Sequence, residues 1–288
     1  MLKIIEKTKI WFAISGIIIL IGIFSMATKG LELGIDFKGG TLTQISIKQD
    51  FEKSDIDTII KKYTTDFSSS KVNNTSIEIK SPNLAAANTT ALVNDIKAKY
   101  KDASLTSQDD IGASIGSETR NKAIQAVVIA CIAILLYVGF RFEFKFATAA
   151  ILSLVHDVLF MLTFYSVFQI PVDSSFIAAA LTVIGYSVHD TIVVFDRIRE
   201  NHKYIRSVDV TVLANASITQ TMARSINTVL SVLITLTAVY AYVPSIRNFT
   251  LPLLVGVTSG CYSSIFIASP FWVTLKKNNK KIKVSHAK

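Results

Sequence analysis

The stretch IWFAISGIIILIGIFSMA, residues 10–27, carries no charged side chain at any position. Crossing the hydrocarbon of a bilayer takes roughly 20 apolar residues in a helix. Residues 123–140 repeat the pattern without a charge, and four further apolar runs follow at 147–170, 174–195, 225–243 and 249–273. The sequence thus predicts an α-helical polytopic membrane protein with six transmembrane helices. Hydrophobic residues make up 50% of the 288, but their segregation into runs decides the class more than their total. The first run has a basic start and a small-x-small end at Ser25, Met26 and Ala27. It is longer than the usual core of a signal peptide, so it reads as an uncleaved helix.

The net charge of +9 is unevenly spread. Lys3, Lys7 and Lys9 precede the first span, and Arg141 and Lys145 follow the second. Arg197, Arg199, Lys203 and Arg206 follow the fourth, and a run from Lys276 to Lys288 follows the last. The short links on the other side, near Pro171 and Pro244, hold only Arg247. Basic links stay in the cytoplasm, and long translocated segments are exempt from the rule. Both termini are therefore expected in the cytoplasm, and residues 28–121 outside. Residues 1–27 form the N-terminus and first helix, 122–273 the other five helices, and 274–288 a basic cytoplasmic tail. The positive charge reads as topology and contact with the lipid bilayer, not as nucleic-acid binding.

Residues 28–121 are rich in Lys, Asp, Ser, Asn and Thr. Residues 41–47 alternate, with Thr43, Ile45 and Ile47 on one face, and read as a half-buried strand. Ser54 is placed to cap a helix to about Tyr63, striped by Ile56, Ile59 and Ile60. A strand at 75–80, a helix to about Tyr100 capped by Asn83 or Asn88, and a strand at 104–111 follow. With a short strand before Asn73, the order is strand, helix, strand, strand, helix, strand. That order predicts a small extracytoplasmic α+β, ferredoxin-like domain. Its apolar content is thin, which suits a mobile head. Residues 197–220 read as a polar cytoplasmic link, amphipathic around 208–213.

Ionisable groups inside spans cost several kcal/mol and tend to mark ion or proton paths. Here they are His156 and Asp157 in the third span, His189 and Asp190 in the fourth, and Arg224 at the inner end of the fifth. Asp190 lies about 9 Å inside the cytoplasmic edge at ~1.5 Å per residue. A long arginine stem reaches inward, so Asp190 and Arg224 meet at one level if their helices are neighbours. A carboxyl balanced between burial and a movable guanidinium can take up and release a proton. A snorkelling role for Arg224 stays open, as does a structural one for Asp190 and Asp157. His156 and His189 read first as packing or helix-to-helix hydrogen-bonding groups. The sequence has no phosphate-cradling glycine loop and no metal-ligand spacing. No enzyme, metal or cofactor is expected.

Gly34, Ile35, Asp36, Phe37, Lys38, Gly39, Gly40 and Thr41 resemble the G-I-D-F-x-G-G-T signature of the SecD/SecF family of bacterial protein-export membrane proteins. The run GYSVHDTIVVFDRIREN, residues 185–201, resembles that family's fourth-span signature. YVGFRFE at 137–143 and TQTMARS at 219–225 are similar too. The resemblance covers essentially the whole chain and falls on the SecF side of the family. It implies the resistance-nodulation-division superfamily and a heterodimer with SecD, a related six-span subunit. It also implies association with the SecYEG channel and other Sec accessory subunits, and contact with exported unfolded polypeptides in the bacterial inner membrane. The implied role is to use the proton-motive force late in preprotein export. The family's relay acid falls on Asp190 and its arginine on Arg224, with Asp157 and His189 as further candidates; His189 departs from the Asn often found there. Read from the residues, Gly34, Gly39 and Gly40 allow tight turns after the first helix, and Asp36 is placed to cap or to bind across the membrane surface; the whole motif, with Phe37, reads equally as a structural turn that seats the head on the membrane. Two other readings share these features: a proton-coupled small-solute antiporter half, and a non-conducting scaffold of the channel. One charge crossing 100 mV releases ~2.3 kcal/mol, which fits repeated small cycles better than one large stroke.

Overall fold

The computed structural model describes residues 2–72, 74–82, 84, 86–204 and 209–285. Among them are six helices long and apolar enough to cross a membrane. A 3₁₀ turn, Ile5–Lys7, leads into α1, Thr8–Thr28. The outer segment then contributes a single-turn helix α2 (Ile35–Lys38), β1 (Gly40–Ser46), α3 (Lys53–Ile60), β2 (Ser68–Val72), β3 (Ser76–Ser81), α4 (Ala86–Lys99) and β4 (Ser104–Ile111). The chain returns through α5 (Ala113–Arg141), α6 (Phe144–Phe168), α7 (Ser174–Tyr204) and α8 (Val210–Tyr242). The last span starts with a 3₁₀ turn, Pro244–Ile246, and continues as α9 (Arg247–Ser263), a π segment (Ser264–Ala268) and α10 (Ser269–Ser285).

The four strands pair antiparallel in the order β2-β3-β1-β4. Period-2 alternation puts Ile45 opposite Ile77, and Thr43 opposite Ile79, all on the covered face. Ile56 and Ile60 of α3 and Leu92 and Ile96 of α4 close over them, and all are fully buried. A thin apolar content thus suffices, because ten Ile and Leu side chains of the segment gather on this one face. The capping expectation for Ser54 fails. The α3 helix starts at Lys53 behind an extended Glu52 that makes no side-chain cap bond. Ser54 is inside the helix, where its carbonyl accepts from the Thr58 hydroxyl at 2.8 Å. Asn88 likewise lies inside α4; Asn83 is outside the described residues.

The polar stretch at 197–220 is mostly helix rather than link. The α7 helix runs on to Tyr204, and α8 already begins at Val210, with Asp209 capping Thr211 N–H. Beyond the hydrocarbon, polar side chains keep helical hydrogen bonds without penalty, so hydropathy ends a span earlier than the helix ends. Residues 205–208, part of the expected amphipathic stretch, lie outside the described set.

In the bundle, α6, α7 and the last span form the packed centre. Half of the apolar window of α7 is buried, against 6% for α5 and 11% for α8. The α5 and α8 helices thus turn most of their apolar surface outward. Small residues bring α7 and α9 together: a Cβ on Gly260 would stand 3.1 Å from that of Ser187. At the end of the bundle opposite the sheet, Asn215 of α8 is fully buried and accepts from Ile4 N–H and Ile5 N–H at 3.0 and 3.1 Å. Its amide donates to both Glu6 carboxylate oxygens, at 3.1 and 2.9 Å. One side chain therefore pins the start of the first span to α8. Asn215→Ala is predicted to cost about 1–3 kcal/mol, because buried partners are left unsatisfied. Faster proteolysis of the N-terminus in membranes checks it; unchanged cleavage rates would refute it.

Candidate functional site

Asp190 sits near the middle of α7 and is buried. Its neighbour is α8, as the depth argument requires, but the contact is made by Ser225. The Ser225 hydroxyl donates to Asp190 Oδ1 at 2.8 Å. Arg224 occupies the adjacent position of α8 and points to the exposed side. No ion pair joins Asp190 and Arg224 among the described residues. One residue step on a helix is about 100°, so Ser225 facing α7 necessarily turns Arg224 away. Asp190 Oδ2 is buried with no hydrogen-bond partner among the described residues, and so is the Tyr186 hydroxyl one turn earlier on the same helix. His189 is exposed on the outer side of α7. The bundle therefore presents a buried carboxyl with one free oxygen, and a cation on the outward surface beside it.

Asp157, in the middle of α6, is the opposite case. Its Oδ2 accepts from the hydroxyls of Ser187 and Ser263, each at 2.7 Å. Its Oδ1 accepts from Ser259 at 2.6 Å and lies 3.2 Å from His156 Nδ1. Three helices thus converge on one carboxylate. The π segment explains how the last span supplies so much. Widening the turn lets consecutive Ser263 and Ser264 both face inward, and both are fully buried. Ser264 hydrogen-bonds Thr191 at 2.8 Å, one residue past Asp190. Asp157 does not join Asp190 in one site; it is a separate, fully satisfied hub.

The glycine-rich stretch after the first span closes the outer end. Gly34 N–H donates to the Val172 carbonyl at 2.8 Å, and Val172 N–H donates back to the Glu32 carbonyl at 2.7 Å. Asp36 Oδ2 accepts from Ser174 N–H at 2.9 Å, so it caps the first turn of α7. Phe37 is buried with Met161, Tyr165, Val172 and Phe176. Gly39 and Gly40 have φ of 85° and 144°, conformations that a side chain resists. Here the tight turn and the close packing coincide, and the motif seats the sheet directly on the helix that carries Asp190.

Asp173 escaped the sequence reading. Its Oδ1 accepts from Phe176 N–H at 3.1 Å, completing the α7 cap. Its Oδ2 accepts from Asn248 of α9 at 3.3 Å and lies 3.6 Å from Lys80 Nζ of β3. Asp-Ser-Ser ahead of an apolar run is a capping signal, and that signal was available. Ser187, Ser225, Ser259 and Ser263 gave none, because hydroxyls are common in spans and only the fold aims them at a carboxylate.

Residues 91–278 match the family described as protein export membrane protein SecD/SecF, C-terminal, and residues 24–50 match the SecD/SecF GG motif. Protein translocase subunit SecF of Sebaldella termitidis is 37% identical over 97% of this chain and 93% of that one. Protein translocase subunit SecDF of Bacillus subtilis is 37% identical over 96% of this chain but only 38% of that one. Among solved structures, a Thermus SecDF described as a translocon-associated membrane protein superposes with a TM-score of 0.81 at 30% identity. That match covers 96% of this chain and 39% of the Thermus one.

Proposed function

Because the chain belongs to the SecD/SecF family of protein-export membrane proteins and so serves a protein translocase, we propose that it couples the proton gradient to a late step of preprotein export, together with a six-span SecD-type partner. The observation that carries this is Asp190, buried with one free carboxylate oxygen behind an outward-facing Arg224. Alone, the chain would expose Arg224 and the bare faces of α5 and α8 to lipid. A second six-span unit on those faces would enclose the carboxyl and bring groups to it. The SecDF relatives extend well beyond the matching part, which covers 38% of one and 39% of the other, and so have length for such a unit in the same polypeptide. Proton uptake at Asp190 would shift α7 against α8, and the shift would reach the outer sheet through the Asp36 and Asp173 caps.

In this reading both termini face the cytoplasm, as the lysine and arginine distribution supports. The sheet lies outside, and its strand order, with α3 and α4 on one face, is read as ferredoxin-like. A cleft of about 520 Å³, bordered by Gly34, Lys80, Asp173 and Asn248, separates it from the bundle and gives it room to rock. The ligand it would act on is an unfolded polypeptide emerging from the SecYEG channel. Arg224→Met tests the reading. Membrane abundance and association with the partner should stay normal, while gradient-dependent export into vesicles is lost. If the variant only lowers abundance, the arginine is an anchor and the proposal fails.

A further inference from the structure

The hydrogen bonds around His156 fix how many protons it carries. The Trp11 main-chain carbonyl can only accept, so the Tyr262 hydroxyl donates to it, at 3.0 Å. The Tyr262 oxygen then accepts from the Ser15 hydroxyl, at 3.2 Å. Ser15 has spent its one hydrogen, so its oxygen must accept from His156 Nε2, at 3.0 Å. On the other side of the ring, Nδ1 faces Asp157 Oδ1 at 3.2 Å. Three serine hydroxyls already donate to that carboxylate and occupy its other acceptor positions. With the carboxylate accepting at every position, both ring nitrogens donate, and the chain from Asp157 to Trp11 is complete with an imidazolium at His156.

We propose that His156, paired with Asp157, is a second proton-binding site, and that its proton latches α1 to α9. Loss of one proton breaks the chain at one of two places. Without the hydrogen on Nδ1, a lone pair faces the Asp157 carboxylate. Without the one on Nε2, Ser15 must turn its hydrogen to the ring and give up its bond to Tyr262, one of the two hydrogen bonds by which Tyr262 ties α9 to α1. A cavity of about 290 Å³ lies against Ser15, His156, Phe160, Ser259 and Tyr262. It has the room to admit water beside the ring, although almost none of its accessible lining is polar. The elements around the pair bring few other ionisable groups. Away from the helix ends, α9 has Cys261 and Tyr262, α7 has Tyr186, His189 and Asp190, and α5 has Cys131 and Tyr137; Arg247 of α9, the charges at 196–203 of α7 and those at 118–122 and 141 of α5 lie at the ends. The α1 helix carries no charge between Lys9 and Lys29, and α10 none before Lys276. The site goes beyond the Asp190 reading: it lies inside this chain, on a different helix, and needs no partner subunit.

The test uses the full chain, labelled with [15N]histidine and reconstituted in lipid vesicles. It has four histidines, so the imidazole nitrogens resolve by NMR, and His156→Asn assigns the signal. At pH 7, His156 should show both nitrogens protonated. Ser15→Ala and Tyr262→Phe, which keep the packing, should cut that doubly protonated fraction severalfold and leave the other histidines unchanged. Spin labels at the outward positions Leu20 and Thr258 should move apart as pH rises through the loss of the second hydrogen. The proposal is overturned if wild-type His156 carries one hydrogen at pH 7, if neither variant changes it, or if the label distance ignores its titration. Asp190→Asn should leave His156 as it is; if it removes the imidazolium, the pair merely follows Asp190 and the proposal also falls. Failure of Asp190→Asn to affect gradient-dependent export would count against the function proposed above and leave the latch standing.

Discussion

Asp190→Asn should assemble normally in the membrane and lose the gradient-dependent part of preprotein export. The substitution keeps the size of the side chain and its bond from Ser225, which donates at 2.8 Å. It removes the charge and the ability to bind a proton at Oδ2, the atom with no partner. One charge moved through 100 mV yields ~2.3 kcal/mol, or about a 50-fold bias on a two-state equilibrium. The variant should forfeit that bias on each cycle. Export driven by ATP hydrolysis alone should remain. The assay is import of a preprotein into inverted vesicles, with and without a proton gradient, at matched protein levels. Equal stimulation by the gradient in variant and wild type would sink proton coupling at this residue and favour a scaffold.

Gly40→Ala is expected to detach the outer sheet from the bundle without unfolding the helices. Gly40 sits at φ 144°, and a Cβ there would lie 2.7 Å from the Ser81 carbonyl oxygen and 2.8 Å from Pro82 Cα. Strained backbone costs about 1–3 kcal/mol, and overpacking adds about 1–3 kcal/mol. Neither contact is with the end of a flexible side chain, so relaxation must move the turn itself. The turn belongs to the segment in which Gly34 bonds Val172 and Asp36 caps α7. Hydrogen exchange should speed up at the Gly34 and Val172 amides, while amides in the middle of α7 keep their protection. If those two amides stay protected, the motif is not the seat of the outer domain.

Much of this protein is legible along the chain. Apolar runs and lysine placement give six spans, because lipid admits few alternatives to a helix. Alternation at Thr43, Ile45 and Ile47 marks the covered face of a strand, and the burial follows it. Asp190 stands out as a carboxyl where carboxyls are costly. Where the reading missed, the cause was local. Hydropathy ended the fourth span near Phe195, while the helix runs to Tyr204. Depth alone paired Asp190 with Arg224, but helical rotation put Ser225 in that place instead.

The sequence by itself determined the class of protein, the number of its spans and the acid on which proton coupling is proposed to turn. Those follow from hydrophobic transfer and from the penalty on intramembrane charge, which act residue by residue. Only the tertiary structure decided what each polar group meets. Asp157 collects hydroxyls from Ser187, Ser259 and Ser263, and His156 reaches α1 through Ser15. Asp190 keeps a free oxygen. Hydrogen bonds are short and directional, so helix rotation, a π turn and a glycine contact select the partners, and no pattern along one helix carries that information.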